Sequence, residues 1–168
     1  MKVSKRIFDL ETESAFDILA NHSFSTSLSA SKPPTQVKLI QQLVSASGYQ
    51  GMCGGQALDL AATNKIIPLS ELEILHSLKT GALLVASVLM PAECNEKVTV
   101  EHKQTLSDYA QLIGLAYQVQ DDIIDLTSTE EELGKPVGSD LEANKSTYPS
   151  LLGLQGAQDK AENLLQQA

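Results

Sequence analysis

The sequence predicts an all-α fold in a single domain. Three observations carry that prediction. Apolar residues recur at helical spacing, strand-type alternation is hard to find, and Gly, Pro and Asn fall where helical stretches should stop. With 168 residues and 42% hydrophobic content the chain can bury a core of its own. No internal repeat interrupts it.

The first helix is ragged: Ile7, Ala15, Phe16, Ile18 and Leu19 are separated by Glu11, Thr12 and Glu13. A loop rich in Ser, Thr and Pro runs from Ser23 to Pro34. The stretch TQVKLIQQLVSASG then repeats Val37, Ile40 and Val44 at helical spacing, and Gly48 closes it. GYQGMCGGQALDLAATN is rich in small residues, which suits a helix packed tightly on its neighbours, with Asn64 as its stop. PLSELEILHSLKTGALLVASVLM begins with the pattern of a capping box, Ser70 and Glu73, inside a possible staple of Leu69 with Ile74. Pro91 should end it. A further helix should begin near Thr105, and a loop from Thr127 to Asn144 carries Gly134, Pro136 and Gly138. KSTYPSLLGL opens the last helix with Pro149 in its first turn, and AQDKAENLLQQA continues it.

Charge narrows the function. The 12 Lys and Arg against 21 Asp and Glu give a net charge of −9, which argues against a nucleic-acid partner. It fits a protein that recruits cations. Cys53 and Cys94 have neither metal-ligand nor disulfide-framework spacing and read as ordinary reduced thiols. The charged start MKVSKRIFDLETES is followed by no apolar signal region. The apolar run Ala82 to Met90 is far short of the roughly 20 residues of a membrane span, so a soluble, cytoplasmic protein is expected.

The most unusual stretch is GLAYQVQDDIIDLTS. Asp121 and Asp125 lie about 40° apart on a helical face, and Gln111, Gly114, Gln118 and Asp122 share that stripe. The opposite stripe reads Leu112, Ala116, Val119, Ile123. Like charges at this spacing repel, and no cation stands among them. Either the face is simply solvated or it holds a hard cation such as Mg²⁺, which takes carboxylate oxygens and shares its coordination with phosphates. Lys79 is the second anomaly. It sits on the apolar stripe of its own helix, between Leu75 and Leu83, with no acid on that helix to pair with it. It could snorkel to solvent, or it could point inward beside Thr80 as a diphosphate ligand. Lys135 and Lys145 offer further cations after the acid helix. His22, His76 and His102 show no metal-ligand spacing.

The blocks GMCGGQALDL, HSLKTGALL, GLAYQVQDDIIDL and LGKPVGSDLEANKSTYPSLLGL, in this order, resemble the polyprenyl diphosphate synthases of the bacterial farnesyl type, from about Ala15 onward. The resemblance implies an isoprenoid synthase-type helical bundle in which two aspartate-rich motifs face each other. It implies an enzyme that ionises an allylic diphosphate (geranyl or dimethylallyl) on Mg²⁺ and condenses it with isopentenyl diphosphate to farnesyl diphosphate. By the same match Asp121, Asp122 and Asp125 are the second motif and the metal ligands, Asp121 foremost. Lys79 and Lys135 would hold the allylic diphosphate, with Lys145 near it. Thr80 and Gln118 would stand beside the developing cation, and Gln56 resembles the cavity glutamine. Tyr117 takes the place of the commoner phenylalanine near the isopentenyl site.

The chain departs from the pattern in having no first aspartate-rich motif, no adjoining arginine pair and none of the family's last helices. It resembles the middle-to-C-terminal part, a truncated bundle. It is therefore expected to be inactive alone, or to serve as a non-catalytic subunit or structural remnant packing with another prenyl synthase chain. Apolar faces left uncovered should drive association as a homodimer or a helix-exchanged oligomer.

Overall fold

The computed structural model describes residues 14–20, 33–128 and 145–168. The described residues are helical, without a strand: α1 (14–20), α2 (Pro33–Ser47), α3 (Met52–Ala62), α4 (Leu69–His76), α5 (Ala82–Glu93), α6 (Val100–Thr127) and α7 (Tyr148–Gln167). Between α4 and α5 the backbone continues without a break through a π-helical turn, Ser77–Gly81. Helices of this type are rare and concentrate at functional sites. Nothing in HSLKTGALL distinguishes it from ordinary helix.

The core lies where α4, α6 and α7 meet. Leu72, Ala116, Val119, Ile123, Tyr148, Ala157, Ala161 and Leu164 are buried together, with Ile67, Leu69, Leu112, Leu115 and Leu151 packed around them. Val119 and Tyr148 are the largest side chains fully removed from solvent. α6 packs on α7 and α5, α2 packs on α5, and α3 packs on the π-helical turn. Two ion pairs tie the bundle at its margins: Lys160 to Glu73 and Lys103 to Glu93, each at 2.7 Å.

Several boundaries differ from the sequence reading. α4 starts directly after Pro68, so Ser70 already lies inside the helix and makes no cap. Glu73 pairs with Lys160 instead, and Ile74 is exposed, which leaves no staple. Pro91 lies inside α5, which ends at Glu93. α6 starts at Val100, five residues before Thr105. Its cap is Thr99, whose Oγ1 accepts from the His102 N–H at 3.2 Å while His102 Nδ1 accepts from the Thr99 N–H at 3.4 Å. On α2 the buried positions are Leu39, Leu43 and Ala46, whereas Val37 and Val44 are 54% and 52% exposed. That face is turned from the expected one because α5 covers it. Asn64 does stop the segment after α3, with φ of 60°.

α7 is capped by Thr147 and Ser150, each side chain accepting from the other's backbone N–H (3.2 and 2.8 Å). Gly153 breaks its helical path at φ 74°, ψ 163°, a region open essentially to glycine alone. The stretch Leu69–Glu93 is by length and composition apolar enough to cross a membrane, at a mean hydropathy of 1.4. It is nevertheless packed along by α2, α3 and α6 and carries a paired lysine at its centre, as a bundle helix does.

α3 and the π-helical turn approach each other closely. A Cβ added at Gly55 would overlap the backbone nitrogen of Lys79 and lie 2.6 Å from its Cα. Backbone cannot yield as a side chain can. Gly55→Ala should therefore cost about 3 kcal/mol, the upper part of the usual overpacking range. Urea unfolding of the variant against the parent chain measures this.

Candidate functional site

α3, α4, the π-helical turn, α6 and the residues just before α7 line a cleft of about 90 Å³. Its lining includes Asp59, His76, Lys79, Gln118, Asp121, Asp122 and Lys145. The fold brings them together for separable reasons. Gly55 lets α3 approach the π-helical turn, which sets Asp59, one turn further on, opposite Lys79. α6 carries Gln118, Asp121 and Asp122 on one stripe. Ser146 holds the entry to α7 against the segment before α4, its Oγ accepting from the Ile67 N–H at 3.0 Å, and so brings Lys145 in.

The strongest polar contacts are at Asp59. Its Oδ2 accepts from Lys79 Nζ at 2.7 Å, and both of its oxygens accept from Lys145 Nζ at 3.0 Å. Burial pushes the carboxyl up, but the hydrogen bonds and charges of the two lysines outweigh it and hold the pKa below the ordinary 3.8. This residue escaped the sequence reading. The sequence shows only an acid between two leucines; in the structure Leu58 and Leu60 are 44% and 64% exposed, whereas Asp59 is 8% exposed. The helix turns its acid inward and its leucines outward. Lys79, with leucines one turn away on its own helix, finds its acid on α3.

Asp121 is exposed at the cleft. Asp122 is buried, and its Oδ2 accepts from the Tyr148 N–H at 2.9 Å, so this carboxylate anchors the first residue of α7. Asp125 is buried too, and it is not among the residues lining the cleft. Among the described residues no three acids, histidines or cysteines converge as a preformed metal centre. The polar stripe of α6 does not face bulk water as a whole: Gly114, Asp122 and Asp125 are buried, while the apolar stripe of Ala116, Val119 and Ile123 lies in the core as expected.

Gln118 Oε1 accepts from His76 in the tautomer with its proton on Nδ1, at 2.8 Å. The His76 ring also lies 5.6 Å from that of Tyr148. Burial lowers the His76 pKa below the ordinary 6.5, against the Gln118 hydrogen bond that raises it, and Lys79 lowers it further. The imidazole is accordingly neutral near pH 7. Tyr148 is held protonated, its pKa pushed up by burial and by the charges of Glu73 and Asp122.

The remaining expected site residues fall elsewhere. Thr80 lies on the π-helical turn beside Lys79, and Gln56 beside Gly55 on α3, but neither lines the cleft. Tyr117 is 61% exposed. Lys135 lies outside the described residues. On the other side of the π-helical turn is a second groove of about 370 Å³, floored by Ala46, Ala82, Val85, Ala86 and Leu89 and edged by Gln42 and Gln111.

Comparison with known proteins decides the family. The polyprenyl synthetase model matches residues 9–168. The chain belongs to the polyprenyl synthetase family. Among its relatives, the farnesyl diphosphate synthase of Haemophilus influenzae is 48% identical over 157 residues, which are 92% of this chain and 53% of the relative. That of Escherichia coli K12 is 45% identical over 158 residues, with the same coverage of 92% and 53%. Among solved structures, a geranyltransferase from Helicobacter pylori complexed with magnesium and isoprenyl diphosphate superposes with a TM-score of 0.81 at 33% identity, over 95% of this chain and 50% of that one. These polyprenyl synthetase relatives are prenyltransferases, and the fold is the isoprenoid synthase-type bundle. The chain spans about half the length of the curated relatives it matches.

Two lowered pKa values give this site an acid signature. The unfolded chain protonates His76 at its ordinary 6.5 before the folded protein does, so stability declines as pH falls below that value. Asp59 contributes stability fully present above its ordinary 3.8 and lost as pH falls through the depressed folded value. The melting temperature should fall in two stages, the first as pH drops below 6.5 and the second as it drops below 3.8. His76→Gln should remove the first stage and Asp59→Asn the second, both readable by calorimetry across pH.

Proposed function

We propose that this chain forms one wall of a prenyltransferase site that holds an allylic diphosphate, geranyl or dimethylallyl, for condensation with isopentenyl diphosphate to farnesyl diphosphate. One observation carries the reading. Two lysines, two aspartates of the DDxxD stretch and a glutamine line a single cleft.

The donor set fits Mg²⁺. Three carboxylates, Asp59, Asp121 and Asp122, face two ammonium groups, Lys79 and Lys145, across the cleft. That is a surplus of one negative charge, so a diphosphate would be repelled unless a cation came with it. Asp121 and Asp122 would hold the ion, with Asp125 as the third acid of the motif. When bound, Mg²⁺ would neutralise diphosphate charge and favour its departure.

The chain's own groups do the rest. Lys79 and Lys145 each carry three N–H donors, more than Asp59 engages, and the remainder can bind diphosphate oxygens. Lys135 would add a third cation. Gln118 is held in place by His76 through one lone pair of its carbonyl and keeps a second for a developing positive charge. Thr80 and Gln56 would act from the edge of the cleft, and Tyr117 at the isopentenyl side. The neighbouring apolar groove suits a hydrocarbon tail and keeps water from it.

A second reading, a non-catalytic partner that packs with another prenyl synthase chain, is favoured by apolar exposure: Val37 and Val44 on α2, and Ile66 and Ile74 beside and on α4. It implies self-association in the absence of that partner, as a homodimer or helix-exchanged oligomer. Sedimentation velocity at rising concentration should show it, and a monomer throughout would remove this support.

The functional test is calorimetry with inorganic pyrophosphate, with and without MgCl₂, followed by an assay of geranyl with isopentenyl diphosphate. Binding should require Mg²⁺. Asp121→Ala should abolish that requirement together with the binding, and Lys79→Met should weaken it by about 10- to 150-fold, the loss of a charged hydrogen bond of about 1.5–3 kcal/mol. Binding untouched by Asp121→Ala would overturn the assignment. Condensation lost in that variant identifies a catalytic chain, and binding without condensation identifies the partner role.

A further inference from the structure

We propose that Asp59 is a positioning residue: it gathers the Lys79 and Lys145 ammonium groups into one anion clamp. The inference rests on the reading that the cleft binds diphosphate. Lys79 reaches Asp59 from the π-helical turn and Lys145 from the residues that precede α7. Both bind the same oxygen, Oδ2, at 2.7 and 3.0 Å, so the two nitrogens lie within about 6 Å of each other. Two ammonium groups would not settle at that distance unaided, because like charges repel. A carboxylate between them removes the repulsion.

The arrangement places the carboxylate behind the lysines, not in competition with a ligand. Asp59 has an 11% exposed side chain, whereas those of Lys79 and Lys145 are 32% and 29% exposed. The buried partner is the acid. Each lysine has N–H donors beyond those given to Asp59, and a spacing of this size lets both reach oxygens of one diphosphate. The acid's own position is fixed by backbone. Gly55, one turn earlier, lies against the Lys79 main chain, so α3 cannot slide without moving the lysine as well. Asp59 therefore acts through the lysines and need not touch the ligand.

The test is a double-mutant cycle on the full chain, with calorimetry of inorganic pyrophosphate in MgCl₂. Asp59→Asn should weaken binding about 10- to 100-fold, the usual effect of losing a group that orients the groups around a bound ion. Combined with Lys145→Met, the loss should be smaller than the product of the two single losses, because the two residues act as a unit. Asp59→Glu keeps the charge and moves it by one methylene. It should bind severalfold more weakly than the parent at an unchanged melting temperature, and it serves where Asp59→Asn folds poorly. Unchanged affinity in Asp59→Asn or Asp59→Glu, or strictly multiplicative losses, would overturn the role of Asp59 alone. Failure of the parent chain to bind pyrophosphate would overturn the functional reading and this role with it.

Discussion

The contact between Gly55 and the backbone of Lys79 governs the rest of the site. Helices normally stand apart by the width of their side chains. Here α3 has no Cβ at the crossing, and the π-helical turn brings its main chain into the vacated space. Placing the two backbones together fixes Asp59 relative to Lys79, since both follow from the same crossing. The second lysine arrives from the segment just before α7. The cleft is thus built on a steric allowance, and its charges are arranged by it.

Electrostatics then gives each acid a different task. Asp59 is committed to two lysines. Asp122 receives the first backbone N–H of α7 and so serves the fold as well as the cleft. Asp121, beside it in sequence, stands open to solvent. A motif that reads as three equivalent carboxylates is three unequal ones in space, because adjacent positions on a helix point about 100° apart. The neutral His76 fits the same scheme: it orients Gln118 without adding charge of its own to the cleft.

Much of this was legible in the sequence, and what was not has physical reasons. Periodicity revealed the helices and the fold class, since most segments bury one stripe. It misassigned the buried face of α2, where Val37, Ile40 and Val44 and the set Leu39, Leu43 and Ala46 both recur at helical spacing and only the packing of α5 selects between them. The Ser70–Glu73 pattern matched a capping box, yet Pro68 starts the helix before it could form. The real cap of α6 used His102, outside the usual Glu or Gln. The π-helical turn has no local signature in HSLKTGALL. Lys79, Gln118, Asp121, Asp122 and Lys145 were placed in one site by pattern and resemblance. Asp59 was missed because its inward orientation depends on which face of α3 is covered, although an acid between two leucines and a lysine with leucines one turn away were each half of the answer.

The bond from Lys145 to Asp59 joins residues 86 positions apart, and that from Ile67 to Ser146 joins residues 79 apart. Contacts of such separation close large loops and form only after that entropy has been overcome. The helices can form locally and α3 can meet the neighbouring turn early, but the second lysine cannot take its place until the C-terminal helix has docked. The cleft is thus among the last parts of the chain to exist during folding. Affinity for an anion becomes a report on whether α3 and the segment leading into α7 have found each other, and a partly folded species with full helical content would have none.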